Sequence, residues 1–490
     1  MADDRRLGLV RYENVDGAYL AKRQLRRSAG WTLLWAMAVG GVISGFFTGW
    51  NTGLGAGGFG GLAVATVLMA AMYLCMVYSI AELSAALPHA GGFFSFTRSA
   101  FGPLGGFVCG ISDTIEYVLT PVVVVVGIGG YLKGQLPGVP VYVWWLVSYA
   151  LFVGINMRGV ALSLKVGLVI TVVAVLVLLV FFGGVLGTAT FRSELLFNIP
   201  PDPGQDADWL PKGWFGVFSA LPFAIWFYLA IEQVPLAAEE AHDVARDVPR
   251  ALTWGIATVL VLSVFVLVLN PGVGDGAAAL AKSDAPLEDG FKAVFGDGLL
   301  TRVMTILALS GLIATFTSTI YAYGRVLFSL SRAGYVPRWI SVTGRRHTPY
   351  VALILGGAIG LVCALVIDLT GGDKEPVGAA LLNMSVFGAV ISYILVMCSF
   401  IKLRFSRPDM PRPYRSPLGV PGAVVGTALA LVALAACFAV PVYRTAVYGV
   451  TIFLAVSVLF FLLYSRHRLV AQAPEEEIAL LEAARKDLAP

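Results

Sequence analysis

The sequence contains 490 residues, of which 58% are hydrophobic and only 13% are charged, whereas soluble globular proteins carry about 25% charged residues. This composition excludes a soluble protein and is typical of a multi-spanning membrane protein, with room for about a dozen helices of roughly 20 residues each. The formal net charge of +4 is modest, so no nucleic-acid partner is expected.

Apolar segments divide the chain into twelve predicted transmembrane helices, which we number as spans 1 to 12. They cover residues 31–54, 59–87, 103–132, 140–156, 163–187, 214–238, 251–271, 299–330, 349–369, 377–401, 421–441 and 445–465. Most of the 34 Lys and Arg residues then fall in the two tails or in loops on the same side as the tails. Because basic loops stay in the cytoplasm, we predict a plasma-membrane protein with both termini cytoplasmic.

Span 1 is predicted to be interrupted, because four glycines lie close together in it. They are Gly40, Gly41, Gly45 and Gly49. Glycine lets a helix unwind or pack closely, at a cost of about 1 kcal/mol relative to Ala. One glycine is ordinary in a membrane helix, but four between residues 40 and 49 indicate a break.

Span 3 carries two acidic residues on one helical face. Asp113, Glu116, Tyr117 and Thr120 follow the i, i+3, i+4, i+7 spacing that aligns side chains along a helix. Two carboxyl groups one turn apart in an apolar span repel each other, and no Lys or Arg at that depth neutralises them. The pair could hold a cationic amine, exchange a proton or satisfy a neighbouring helix, and we favour a role in a binding site.

Span 6 combines two prolines with an acidic residue. Pro222 and Pro235 flank three aromatic residues at 226–228 and the single carboxylate of Glu232. A proline removes one helical hydrogen bond, and in lipid the freed backbone groups persist only where they are buried in protein or line a wet cavity. Glu232 is therefore predicted either to line a midplane site or to cap a neighbouring helix.

Spans 1 and 6 are both interrupted and lie five spans apart, which is the pattern of two inverted repeats with a site at their interface. The repeats would cover about 31–187 and 214–401, and two further helices would follow at 421–465. The predicted fold is an all-α polytopic membrane protein, with one transmembrane domain at 31–465 between tails at 1–30 and 466–490. The end of the C-terminal tail, EEEIALLEAARKDLAP, could form a short amphipathic helix, and we expect it to be a solvated end and not a partner motif.

Span 8 offers oxygen atoms for a small cation. Ala314, Thr317 and Ser318 share one helical face. Carbonyl oxygens of a broken span 1, from Gly40 and Ile43 or from Gly41 and Ser44, could complete the ligand set. Alternatively, the hydroxyl groups only let neighbouring helices approach and hydrogen-bond. The four His and five Cys residues show no metal-binding spacing, so we expect no metal site and no cofactor.

Several motifs are similar to those of the amino acid–polyamine–organocation transporter superfamily. They are AELSAALPHAGGFFSFTRSAFGPLGGF after span 2, IEYVLTP in span 3, AAEEAHDVARDVPRAL after span 6, AYGRVLFSLSRAGYVPRW in span 8 and RPYRSPLGVPGA before span 11. Within the superfamily, GGVISGFFTGWNTGLGAGGFGG and FAIWFYLAIEQVPLAAEE most resemble the ethanolamine permeases. The resemblance implies a twelve-span carrier with alternating access, in a family with proton-coupled, sodium-coupled and exchanging members.

The resemblance also implies where the substrate binds. In amino-acid-transporting relatives, the break in span 1 is a G-x-G turn whose amides bind the substrate carboxylate. Here that turn is Gly45, Phe46 and Phe47, and the bulk of Phe47 favours a substrate without a carboxylate. The substrate amine in relatives meets carbonyls of the span 6 break. Together with the acidic face of span 3, the predicted substrate site comprises Ile43, Ser44, Gly45, Phe46, Asp113, Glu116, Tyr117, Trp226, Phe227, Leu229 and Glu232.

We therefore predict a permease for a small organic amine, ethanolamine first, with an amino-acid carrier of the same superfamily as the nearest alternative. Many proton-coupled relatives carry a lysine in span 5 where Ala174 stands here, which leaves room for the Thr317 and Ser318 cation site. A membrane-embedded enzyme would need a nucleophile–base set, and no such motif occurs. A channel would need a continuous polar stripe, which is also missing. The expected partners are the amine and the lipid bilayer, and the oligomeric state stays open.

Overall fold

A computed structural model of the chain describes residues 6–7, 10–136, 138–205, 208–372 and 376–476. Within these ranges, ten helices are long and apolar enough to cross a membrane, and two shorter apolar helices lie at Trp31–Phe46 and Val141–Met157. The prediction of an all-α polytopic membrane protein is thereby confirmed. The count of twelve crossings, the domain boundaries and the inverted repeat stay predictions.

Each predicted span corresponds to a helical segment. Span 1 is Trp31–Val42 followed by a 3-10 turn at Ile43–Phe46, and spans 2 to 5 are Thr52–Ala86, Phe93–Gln135, Val141–Met157 and Val160–Gly187. Span 6 consists of Gly213–Ala224, Ile225–Phe227 and Ile231–Glu240. Spans 7 to 12 are Val244–Leu269, Leu299–Arg332, Tyr350–Leu369, Pro376–Ser406, Gly419–Ala439 and Pro441–Leu463.

Spans 2 and 3 begin earlier than predicted, because each helix continues across a glycine kink. The kinks lie at Gly58 and Gly102, whose φ angles are 70° and 80°. Glycine reaches this left-handed region without the steric penalty that a Cβ atom imposes. Hydropathy does not reveal such a kink, so the helical residues before each kink escape prediction.

Both predicted breaks are present. In span 1 the α-helix ends at Val42 and passes into a 3-10 turn. In span 6 Ala230 adopts a φ of 76°, which is uncommon for a residue with a Cβ atom and costs about 1–3 kcal/mol. The side chain of Glu232 accepts a hydrogen bond from the Ala230 amide at 3.0 Å, so it stabilises this break of its own helix.

The segment between spans 7 and 8 folds as two short helices, Gly276–Leu280 and Pro286–Phe295. Asn51, which follows the span 1 break, donates side-chain hydrogen bonds to the carbonyls of Leu280 and Ser283 at 2.8 and 2.9 Å. This segment therefore anchors the chain between spans 1 and 2.

The two tails of the chain pack against each other at one end of the helix bundle, which we call the tail end. Strands β1 (Arg6–Leu7), β2 (Val10–Glu13) and β3 (Leu469–Val470) form a small sheet in which β2 is parallel to β3. The expectation of a solvated end is wrong for Glu475 and Glu476, which are 2% and 0% exposed. Their buried partners are arginines of distant spans, which the local sequence does not reveal.

Candidate functional site

The breaks in spans 1 and 6 contact each other through their backbones. A Cβ atom at Gly45 would lie 1.8 Å from the carbonyl oxygen of Trp226, so only glycine permits this approach. Aromatic rings surround the contact, with centroid distances of 5.9 Å between Phe46 and Phe227 and 5.3 Å between Trp50 and Phe227. The structure thus brings together the predicted span 1 and span 6 residues of the substrate site.

The bulk of Phe47, which was expected to disfavour a substrate carboxylate, is directed towards span 8. Its ring packs against Gly311 of span 8, where a Cβ atom would lie 2.5 Å from the ring. The missing side chain of Gly311 makes room for this ring. The close approach at Gly45 therefore comes from Trp226, which is distant from it in the sequence.

Span 8 engages the hydrogen-bonding groups of the span 1 break. The hydroxyl of Thr315 accepts from the Ser44 amide at 3.1 Å and donates to the Gly40 carbonyl at 2.8 Å. In this conformation the Ser44 amide is thus occupied by a protein group. The Gly40 carbonyl, which we predicted as a cation ligand, bonds to a hydroxyl outside the predicted set.

Two buried carboxyl groups, from Glu116 of span 3 and Glu232 of span 6, lie next to each other. Their residues are 0% and 1% exposed. The Oε1 atom of Glu232 also accepts from the hydroxyl of Tyr393 at 2.7 Å. Apart from the contact between the two carboxyls, both oxygens of Glu116 and Oε2 of Glu232 have no partner among the described residues. Two ionised carboxylates repel at contact, so this arrangement needs a proton or another cation between them.

Tyrosine rings enclose the carboxyl pair. Tyr73 of span 2 donates its hydroxyl to that of Tyr393 in span 10 at 3.1 Å. The ring of Tyr73 lies 5.3 Å from that of Tyr228 and 5.4 Å from that of Tyr393, measured between centroids. A cation beside such ring faces gains about 0.5–2 kcal/mol, depending on its desolvation. Negative charge and aromatic faces together suit an organic ammonium group.

Asp113 lies one turn before Glu116 and extends the acidic cluster towards the tail end. Its side chain is buried and neighbours Ser392 of span 10. The Oδ1 atom of Asp113 has no partner within the described ranges. Asp113 therefore lies next to the carboxyl pair, but its neighbour on span 10 is Ser392, whereas the pair contacts Tyr393.

A cavity of about 20 Å³ lies between spans 1, 5 and 8, where a cation site was predicted. Its lining includes Met37, Thr171, Ala314, Thr317 and Ser318. The volume suits one water molecule or a small ion. The hydroxyl of Ser318 donates to the Met37 carbonyl at 3.1 Å and accepts from the Gln233 amide at 2.8 Å. Of the two predicted hydroxyls, Ser318 thus meets span 1 at Met37, and Thr317 donates to Ile313 of its own helix. The cation site stays a prediction.

Tyr73, Tyr393 and Gln233 were not predicted from the sequence, although all three are buried near these groups. Each is a polar side chain within a membrane-spanning segment, and only that could have drawn attention to it. The direction in which such a group points depends on how the helices pack, so periodicity alone could not assign it to a site.

Buried ion pairs tie span 8 to the end of span 6. Arg325 donates to Glu240 at 2.9 Å, and both side chains are fully buried. Glu240 also accepts from the hydroxyl of Tyr321, while Arg332 donates to Glu239 at 2.9 Å. These contacts close the bundle between the carboxyl pair and the tail end.

We expect Arg325→Met to lower the free energy of unfolding by about 3–5 kcal/mol, because it leaves the buried carboxylate of Glu240 without its counter-charge. Arg246→Met is the matched control, since Arg246 pairs with Asp243 at 3.7 Å on the surface and such pairs contribute about 0–1 kcal/mol. Thermal unfolding in detergent should show a melting temperature several degrees lower for the first variant. Equal melting temperatures would contradict a structural role of the buried pair.

Comparison with known proteins gives the following similarities. The sequence profile of a family described as amino acid permease matches residues 30–463. An uncharacterized transporter of Rhizobium meliloti is 27% identical over 392 residues, which cover 79% of this chain and 80% of the relative. The branched-chain amino acid permease BcaP of Bacillus subtilis is 26% identical over 437 residues, covering 84% and 87%. The aromatic amino acid transport protein AroP of Escherichia coli is 22% identical over 401 residues, covering 80% and 85%.

Proposed function

The chain belongs to the amino acid permease family, whose members are transporters and not enzymes, and from that premise we propose that it carries a small substrate with a primary ammonium group across the plasma membrane. The observation that supports this substrate class is the contact between Glu116 and Glu232, with three oxygens left without other partners among the described residues. An ammonium group supplies both the positive charge and the hydrogen-bond donors that these oxygens need.

The ammonium would lie between the two carboxyls and against the rings of Tyr73 and Tyr393. One carbonyl of the span 6 break, at Trp226, Phe227 or Leu229, would accept the remaining N–H of the ammonium. Without substrate, the two carboxyl groups need a proton or another cation between them, and the entering ammonium displaces it. This exchange favours a proton as the coupling ion, with sodium in the cavity beside Ser318 as the alternative.

Two substrates fit this proposal, and different observations favour each. Ethanolamine is favoured by the span 1 break, where Thr315 occupies the Ser44 amide and the Trp226 carbonyl lies against Gly45. A substrate carboxylate would meet a carbonyl oxygen there and be repelled. A neutral amino acid is favoured by relatives named for branched-chain and aromatic amino acids. A conformation in which spans 1 and 6 separate would free the Ser44 amide for its carboxylate.

The proposed cycle is alternating access, in which spans 1 and 6 move against spans 3 and 8 and expose the carboxyl pair to one side at a time. We propose that the tail end faces the cytoplasm, because most basic residues lie in the tails and in loops on their side.

The experiment that tests this function is counterflow in proteoliposomes, with labelled ethanolamine outside and unlabelled ethanolamine, leucine or phenylalanine inside. We expect saturable accumulation of label over empty liposomes with ethanolamine inside, and a shift of uptake with an imposed pH gradient. A matching assay uses labelled leucine outside and unlabelled leucine or phenylalanine inside. Accumulation of labelled leucine in that assay, with no accumulation of labelled ethanolamine in the first, would show an amino-acid carrier. Counterflow with none of the three, by a protein that unfolds cooperatively, would contradict the primary-amine proposal.

A further inference from the structure

The carboxylate of Glu476, in the C-terminal tail, is surrounded by donors from three other parts of the chain. Arg98 of span 3 donates through Nε to Oε1 and Oε2 at 2.9 and 2.8 Å. Tyr335, just after span 8, donates to Oε1 at 2.7 Å, and Tyr12 of β2 donates to Oε2 at 2.9 Å. Burial and the neighbouring Glu476 charge raise the pKa of Tyr335, so its hydroxyl keeps the proton that it donates.

The adjacent Glu475 binds a second arginine. Arg332, at the end of span 8, donates to Glu475 through Nε at 3.1 Å and through Nη2 at 2.6 Å. The same guanidinium donates to Glu239 at the end of span 6. Consecutive tail residues thus neutralise one arginine of span 3 and one of span 8, and Arg332 links the tail to span 6.

The N-terminal tail joins this contact to spans 1 and 6. It pairs with the C-terminal tail through β2 and β3 and through the hydrogen bond between Tyr12 and Glu476. Further along, the amides of Ser28 and Ala29 donate to the Glu240 carbonyl at 2.8 and 3.0 Å, and span 1 begins at Trp31. The two tails therefore bridge spans 3 and 8 on one side and spans 1 and 6 on the other.

The contact between the two tails borders a cavity that water can enter. A cavity of about 320 Å³ separates the two tails near Arg332 and is lined by Leu20, Arg23, Gln24, Leu25, Glu239, Arg332 and Pro474. Water there can solvate Arg332 and Glu239 when they part, and solvation lowers the cost of separating an ion pair. Glu475 and Glu476 also lie outside the residues 30–463 that match the family profile.

We propose that the two tails form a strap that holds the tail end closed, and that Glu475 and Glu476 set how readily this end opens. The proposal rests on the alternating-access cycle given above, in which spans 1 and 6 must move away from spans 3 and 8. Such a movement separates Glu239 from Arg332. It also lengthens the distance that the N-terminal tail spans between Glu240 of span 6 and the C-terminal tail. Neutral side chains at 475 and 476 remove the attraction to Arg98 and Arg332, so the strap detaches and the tail end opens more often.

The test measures which end of the bundle is accessible, using thiol labelling of the purified protein in detergent by a water-soluble maleimide. In a cysteine-free version of the chain, Ala36→Cys reports on the tail end, because Ala36 is buried in span 1 beside spans 5 and 8. Thr48→Cys, after the span 1 break, reports on the opposite end. With Glu475→Gln and Glu476→Gln together, we expect labelling at 36 to become about tenfold faster and labelling at 48 to become slower.

Two further variants keep the result interpretable. Tyr12→Phe removes one hydrogen bond to Glu476 and no charge, so it should speed labelling at 36 by about two- to threefold even if the double variant folds poorly. Glu288→Gln, which breaks a half-exposed pair with Lys292, should leave both rates unchanged. Unchanged labelling at 36, or a rise at 36 and 48 together, would overturn the proposal. Because labelling needs no substrate, this outcome is independent of the counterflow result.

Discussion

Glu232→Gln and Glu116→Gln should each weaken binding of the transported amine by about a hundredfold. Truncating one partner of a buried, hydrogen-bonded charge pair costs about 2–5 kcal/mol, and a factor of ten corresponds to about 1.4 kcal/mol. Glutamine keeps the shape of the side chain, and at 232 its oxygen can still accept from the Ala230 amide and the Tyr393 hydroxyl. The loss would therefore report on charge at the site and not on collapse of the span 6 break.

The measurement is substrate-induced stabilisation of the purified variants, since a ligand raises the free energy of unfolding by RT ln(1 + [L]/Kd). Tyr393→Phe is an informative companion, because it keeps the ring but removes the hydrogen bond to Glu232. We expect it to weaken binding by about tenfold or less. If both glutamine variants bind the amine as tightly as the unmodified protein, the two carboxyls do not hold the ammonium.

Gly45→Ala should abolish transport. The added Cβ atom would lie 1.8 Å from the carbonyl oxygen of Trp226, and because that oxygen belongs to the backbone, no change of rotamer relieves the clash. Spans 1 and 6 would have to separate by more than about 1 Å. A misplacement of about 1 Å in a site that holds its groups in a fixed geometry lowers the rate about a hundredfold. Counterflow and the melting temperature should both fall.

The matched control for this substitution is Gly183→Ala in span 5, where an added Cβ atom meets no heavy atom within 4 Å. Alanine is the better helix former, so this variant should be unchanged or slightly more stable. Counterflow by Gly45→Ala at the rate of the control would mean that the backbone contact between the two breaks is not needed in the transport cycle.

The sequence by itself determined the class of the protein and the places where its helices break. Long apolar segments indicate membrane spans because the bilayer sets their length. Glycine at 40–49 and proline at 222 and 235 mark the breaks because these residues change the local backbone. Glu116 and Glu232 could be identified as candidates because a carboxyl group inside an apolar span is costly wherever it points.

Only the tertiary structure decided what these groups contact. Glu116 and Glu232 come from different helices, and no spacing rule relates residues so far apart in the sequence. The same holds for Tyr73 and Tyr393, which lie beside the carboxyl pair, and for the Trp226 carbonyl, which lies against Gly45. The C-terminal tail is the clearest case. Its acidic residues have the pattern of a solvated segment, yet Glu475 and Glu476 are buried, because the arginines that neutralise them are presented by spans 3 and 8.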